Sequence, residues 1–195
     1  MHNLSASFIL GYHGCDADVA EDLLRNIPFL PSENDYDWLG SGIYFWEANP
    51  LRGLEFATEA SQRKPKLISN PTVIGAVIDL GYCLDLTSSR GLKVTGTAFS
   101  RLQQISRKVG LRLPENQPDG LRNNLDCAVL NSLHRFQAEE GKQPFDTVKG
   151  VFIEKPPLYD GSAFGVKNHI QIAVRNPDCI KGIFRVPASH LDPNA

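Results

Sequence analysis

Residues 72–80, TVIGAVIDL, constrain this chain most: the run is β-branched and nearly unbroken in apolar character, as a strand buried on both faces must be. It is expected at the centre of the sheet. Residues 8–12 read as a shorter buried strand, and residues 18–26 as a helix that turns Val19, Leu23 and Leu24 inward. Residues 28–42, PFLPSENDYDWLGSG, are rich in turn formers and read as a surface loop, with 43–45 an apolar turn or strand. Pro50 opens the next helix, whose apolar face would hold Leu51, Leu54 and Ala57.

Beyond Leu86 the period changes. Phe99, Leu102, Ile105 and Val109 step by three and four and stop at Gly110, while Leu121, Leu125, Val129, Leu133 and Phe136 mark a longer helix. The segment between them, RLPENQPDG, carries two prolines and a glycine that neither helix could hold. Strands return at 148–153, 170–174 and 180–186. The expectation is one α+β domain over residues 1–195, with a helical insertion at about 88–148.

At 42% hydrophobic, 9% aromatic and 22% charged residues, the chain is composed like a folded protein, which excludes disordered and collagen-like classes. Its longest apolar stretch falls far short of the ~20 residues of a membrane helix, and MHNLSASFILGYHG lacks a basic start, so no membrane partner and a cytoplasmic location are expected. Cysteines 15, 83, 127 and 179 form no C-x-x-C pair, so free thiols and no metal are expected. The net charge of −2 gives no general attraction to nucleic acid. Between Arg90 and Arg122, however, seven basic residues stand against two acidic ones, either a solvated face or a docking surface for nucleic acid.

No G-x-G-x-x-G, G-x-x-x-x-G-K-[ST] or G-x-S-x-G pattern is present. Tyr12-His13-Gly14 ends the first strand, and Leu39-Gly40-Ser41-Gly42-Ile43-Tyr44-Phe45 follows the loop. Each fragment alone reads as a packed turn. In order, though, YHGCDADVAEDLLRN, LGSGIYFWEANPLRGLEFA, TVIGAVIDLGYCLDLTS and HIQIAVRNPDCIKGIFRV resemble the catalytic domain of the poly(ADP-ribose) polymerases and their diphtheria-toxin-like relatives. The resemblance covers about the first 87 residues and the last 40.

That resemblance implies an ADP-ribosyltransferase-like split β-sheet core with flanking helices, and NAD as substrate with no metal. It implies that His13 hydrogen-bonds the adenosine-side ribose, that Gly14 offers backbone groups to the nicotinamide amide, and that Tyr44 flanks the nicotinamide ring. Phe56 would stack on the other side of that ring or serve as helix core. Trp46, Asp16 and Arg52 would line the pocket. Gln171 falls where the family carries its catalytic glutamate, with His169 two residues earlier on the same face of the strand. Either Gln171 fills the role, or a carboxylate comes from Glu154 or Asp160. Family members without the glutamate generally add a single ADP-ribose, so the implied reaction is mono-ADP-ribosylation of a macromolecular acceptor, protein or nucleic acid. A restraining partner such as an antitoxin is also expected, as in toxin–antitoxin or phage-defence systems. The alternatives are a catalytically silent NAD- or ADP-ribose-binding module and a relative of the RNA 2′-phosphotransferases.

Overall fold

A computed structural model describes residues 8–192 apart from Lys64, Asp119, Leu121 and Lys155. The chain runs β1 (Phe8–Asp16), α1 (Ala17–Leu24), β2 (Ile43–Glu47), α2 (Pro50–Arg63), β3 (Pro71–Asp79), β4 (Cys83–Asp85), α3 (Ser89–Val109), α4 (Asn124–Glu139), β5 (Thr147–Phe152), β6 (His169–Val174) and β7 (Ile180–Arg185). It is an α+β fold with seven strands in one mixed sheet, in the order β4-β5-β6-β2-β1-β3-β7.

β3, the apolar run, lies between β1 and β7, second from one edge, and Ile74, Ala76 and Ile78 on it are fully buried. Among the described residues only β4 and β5 pair in parallel, and parallel neighbours need a long crossover. α3 and α4 are that crossover. The helical insertion is therefore no appendage: Ala98, Val129, Leu130 and Leu133 share one core with Leu84, Val148 and Ala173 of the sheet.

The sheet is continuous but narrow at its middle. β1 and β2 share only the pairs Gly11↔Glu47 and Tyr12↔Trp46. Beyond them β1 stays on β3 as far as Asp16↔Pro71, whereas β2 stays on β6 as far as Ile43↔Val174. Two half-sheets thus meet at a short join.

Helix phases differ from the sequence expectation where a neighbour overrides hydrophobicity. In α1, Ala20 and Leu23 are buried while Val19 is exposed. In α2 the inward positions are Arg52, Gly53 and Ala57, because Gly53 lets the helix approach β1: a Cβ on Gly14 would lie 2.0 Å from the Gly53 carbonyl oxygen. In α3 the last turn leaves Ile105 and Val109 exposed and buries Ser106 instead, whose hydroxyl donates to Leu111 O. Gly110 then closes the helix at φ +68°. α4 begins at Asn124, and Leu121 lies outside the described residues.

Asp16 caps α1. Its carboxylate accepts from the backbone N–H of Asp18, Ser69 and Asn70 and from the Ser69 hydroxyl. These bonds, that from Asn70 foremost, hold its pKa down at about 2. The residue is a structural tie. No described helix is long and apolar enough to cross a membrane, and no cluster of His, Cys, Asp and Glu suited to a metal occurs among the described residues.

Candidate functional site

Residues directly opposite one another on neighbouring strands share a face, so the ladder defines a transverse row: Gly150, Gln171, Trp46, Tyr12, Gly75 and Phe184. Large rings in that row need gaps beside them, and the glycines supply these. A Cβ at Gly150 would sit 2.7 Å from the Trp38 ring, and one at Gly75 would sit 2.3 Å from Phe184.

Around Trp46 and Gln171 the same face gathers the other polar residues. Trp46 packs against Phe56 of α2 with centroids 4.9 Å apart, and against His169 at 6.2 Å. His169 also stacks on Phe152 at 5.4 Å. The Arg52 guanidinium, on a side chain only 8% exposed, pairs with Glu154 at 3.1 Å and lies 3.6 Å from Glu59. Glu59 in turn pairs with Lys167, tying the segment before β6 to α2. Trp38 reaches in from the loop and donates its indole N–H to Gln171 Oε1 at 2.5 Å.

Four buried polar atoms in this cluster make no hydrogen bond: Trp46 Nε1, Arg52 Nε, Arg52 Nη1 and His169 Nε2. Leaving such an atom unpaired costs about 1–3 kcal/mol, so the set is poised to receive something polar. Their chemistry is defined. His169 Nδ1 lies 2.6 Å from Lys167 O, and a carbonyl can only accept, so that nitrogen carries the proton. Burial lowers the His169 pKa, which keeps the ring neutral and leaves Nε2 a bare acceptor. The site thus offers one acceptor and three donors, one of them an indole and two from a cation.

The sequence-derived residues divide into two groups. Phe56, His169 and Gln171 come together here, joined by Trp46, Arg52 and Glu154, whereas Asp160 is exposed in the loop before β6. His13 and Tyr44 do not present their side chains to a common space. The His13 ring lies against Phe29 and Phe45 on the opposite face, its Nδ1 bonded to the Tyr44 main-chain oxygen. The Tyr44 phenol donates to Gly40 O and accepts from Leu39 N. Gly14 is closed off by Gly53. Trp38 and Phe152 were missed by sequence reasoning: an indole in an otherwise polar loop was the signal for the first, and nothing local marked the second.

Comparison with known proteins adds one relative, itself uncharacterized. No family model and no solved structure matches the chain. An uncharacterized protein of Methanocaldococcus jannaschii is 26% identical over 189 residues, spanning 87% of this chain and 83% of its own.

Proposed function

We propose that this protein cleaves NAD and transfers its ADP-ribose, once per site, to a macromolecular acceptor. One observation carries the reading: the three blocks of resemblance that bear polar aromatic and amide groups lie on the adjacent strands β1, β2 and β6, where Gln171 stands beside Trp46 in a cluster with unpartnered buried donors. A flat cationic nicotinamide suits the exposed Phe56 ring, which covers the buried Trp46, beside the carboxylates of Glu154, Glu55 and Glu59 that already neutralise Arg52. Ribose hydroxyls suit His169 Nε2 and the free amide hydrogens of Gln171.

In the reaction the bond between the ribose C1′ and the nicotinamide nitrogen breaks, and the electron pair leaves with neutral nicotinamide. The ribose passes through an oxocarbenium-like state, and a nucleophile of the acceptor, losing a proton, captures it. A group that holds the 2′-hydroxyl more tightly as positive charge develops lowers this barrier. His169 Nε2 does so as a neutral acceptor, worth ~0.5–1.5 kcal/mol against ~1.5–3 for a carboxylate, so turnover is slow by roughly tenfold or more, while Gln171, its oxygen held by Trp38, orients a ribose oxygen through its amide hydrogens.

The test is incubation of wild type, Gln171→Leu and His169→Ala with NAD labelled in the adenylate and with cell extract. Nicotinamide release and label transfer are followed together. Both should drop at least tenfold in each variant, assayed well below its own unfolding midpoint, because lost ring contacts in one and an orphaned Trp38 indole in the other lower stability by about 1–3 kcal/mol. Intact NAD after prolonged incubation with wild type, but saturable NAD binding by calorimetry, would establish the silent binding module instead; that outcome is favoured by the engagement of Gln171 Oε1 by Trp38.

A further inference from the structure

A second polar recess lies at the opposite end of β2, and it is cationic. Ser41, just before β2, and Arg175, just after β6, form one side of a cleft of about 490 Å³; Asn131, His134 and Arg135 of α4 form the other. We propose that this cleft binds the phosphoryl group of a phosphomonoester, a site separate from the Trp46 cluster and independent of the NAD reading.

Three observations converge on an anion. His134 is 4% exposed, yet neither of its ring nitrogens has a hydrogen-bond partner. Among the described residues, the Arg175 guanidinium is engaged at one nitrogen, by Ser41 O at 2.9 Å, and that of Arg135 at one, by Ser132 Oγ at 3.1 Å. Among the described residues no carboxylate lies within 4.0 Å of either guanidinium. Two arginines without counter-charge beside an unpartnered buried imidazole form an electropositive recess, and a bound oxyanion would supply the missing acceptors.

The Ser41 wall is built to stay in place. Asn131 Oδ1 accepts from Ser41 N at 2.9 Å, and Arg175 holds Ser41 O, so α4 and the end of β6 fix the turn from both sides. The donors left over, on two guanidinium forks and one imidazole, outnumber what a planar two-oxygen carboxylate can accept and match a tetrahedral group with three free oxygens. The recess opens to solvent, so the organic part of a phosphomonoester has room to leave it without clashing with either wall.

His134 is a built-in reporter. Burial, and then the charge of Arg175, hold its pKa down at about 3, so the free protein carries it neutral. Protein labelled with ¹³C-histidine, with the His134 signal assigned from a His134→Gln variant, is titrated by NMR at constant ionic strength with inorganic phosphate, adenosine 5′-monophosphate and acetate. Saturable shifts of the His134 Cε1–H signal are expected with both phosphates, tighter for the monophosphate ester, and none with acetate. Arg135→Ala, at an exposed position, should weaken both at least tenfold while its thermal unfolding stays near wild type. No saturable shift with either phosphate, equal affinity in Arg135→Ala, or acetate binding as well as phosphate would each overturn the proposal. A site that takes inorganic phosphate as tightly as the ester is a phosphate site without an organic subsite, which overturns the ester assignment.

Discussion

His13 Nδ1 binds the main-chain oxygen of Tyr44 at 2.8 Å, just past the last ladder pair between β1 and β2, so a side chain continues the join where the backbones part. The two residues are coupled through the sheet while their rings leave by opposite faces. His13→Ala removes that bond together with ring contacts to Phe29 and Phe45, and should cost about 2–4 kcal/mol. Tyr44→Phe removes only the hydroxyl's bonds to Gly40 and Leu39, and should cost about 1–2 kcal/mol. Thermal unfolding reads both, at roughly 2–4 °C per kcal/mol for a chain of this size. A smaller loss for His13→Ala than for Tyr44→Phe would refute the role of His13 at the join.

The approach of α2 to β1 predicts a sharper effect from a single methyl group. In Gly14→Ala the new Cβ would meet the Gly53 carbonyl, which is backbone and has no rotamer to escape through. A loss of about 1–3 kcal/mol is expected from overpacking. Gly182→Ala, with nothing within 4 Å of the added Cβ, is the matched control and should unfold within a degree or two of wild type. Equal stability of the two variants would show that α2 is not seated as described.

Stability should decline in two stages as pH falls. His13, His134 and His169 all have pKa values lowered chiefly by burial, so the unfolded chain binds protons that the folded one refuses. Their contribution is complete above about pH 6.5 and drains away below it. Asp16 acts lower: its carboxyl, held at about 2 by the Asn70, Asp18 and Ser69 donors, contributes fully above about pH 4 and loses that contribution as pH falls toward 2. Denaturant unfolding across pH 7 to 2 should therefore show wild type and Asp16→Asn separated at neutral pH and converging below pH 4. A constant gap between them would show that Asp16 carries no such depression.

β3 was legible because burial on both faces leaves a compositional mark, and 72–80 shifted by only a residue when folded; 148–153 also shifted by one, although Val151 and Ile153 of that run are exposed. β1 and β2 proved longer than their apolar cores, since His13, Gly14 and Glu47 extend them through pairing that no local propensity encodes. The face of α2 was misjudged because Gly53 and Arg52 turn inward for reasons found on other elements, a close backbone contact and the Glu154 carboxylate. The same holds for the site. Gln171 and His169 could be placed on one face from strand period alone, but Trp38 arrives from 133 residues away, and no period reports that.

The Trp38 bond sharpens what Gln171 can do. An indole N–H only donates, so it fixes the side-chain amide with Oε1 occupied and both Nε2 hydrogens available, and the group now presents donors where ribose chemistry favours an acceptor. Gln171→Glu keeps one oxygen for Trp38 and turns the other position into a charged acceptor. If the site breaks the nicotinamide–ribose bond, this variant should release nicotinamide about tenfold faster than wild type above pH 7, by the difference between a charged and a neutral hydrogen bond. Trp38→Phe frees the amide to turn its oxygen toward the ribose; it should raise the wild-type rate several-fold and leave less to gain when combined with Gln171→Glu. Chromatographic assay of nicotinamide for the four proteins forms a double-mutant cycle. A Gln171→Glu rate no higher than wild type, in a protein that still unfolds cooperatively, would remove Gln171 from the chemistry and leave the cluster a binding surface.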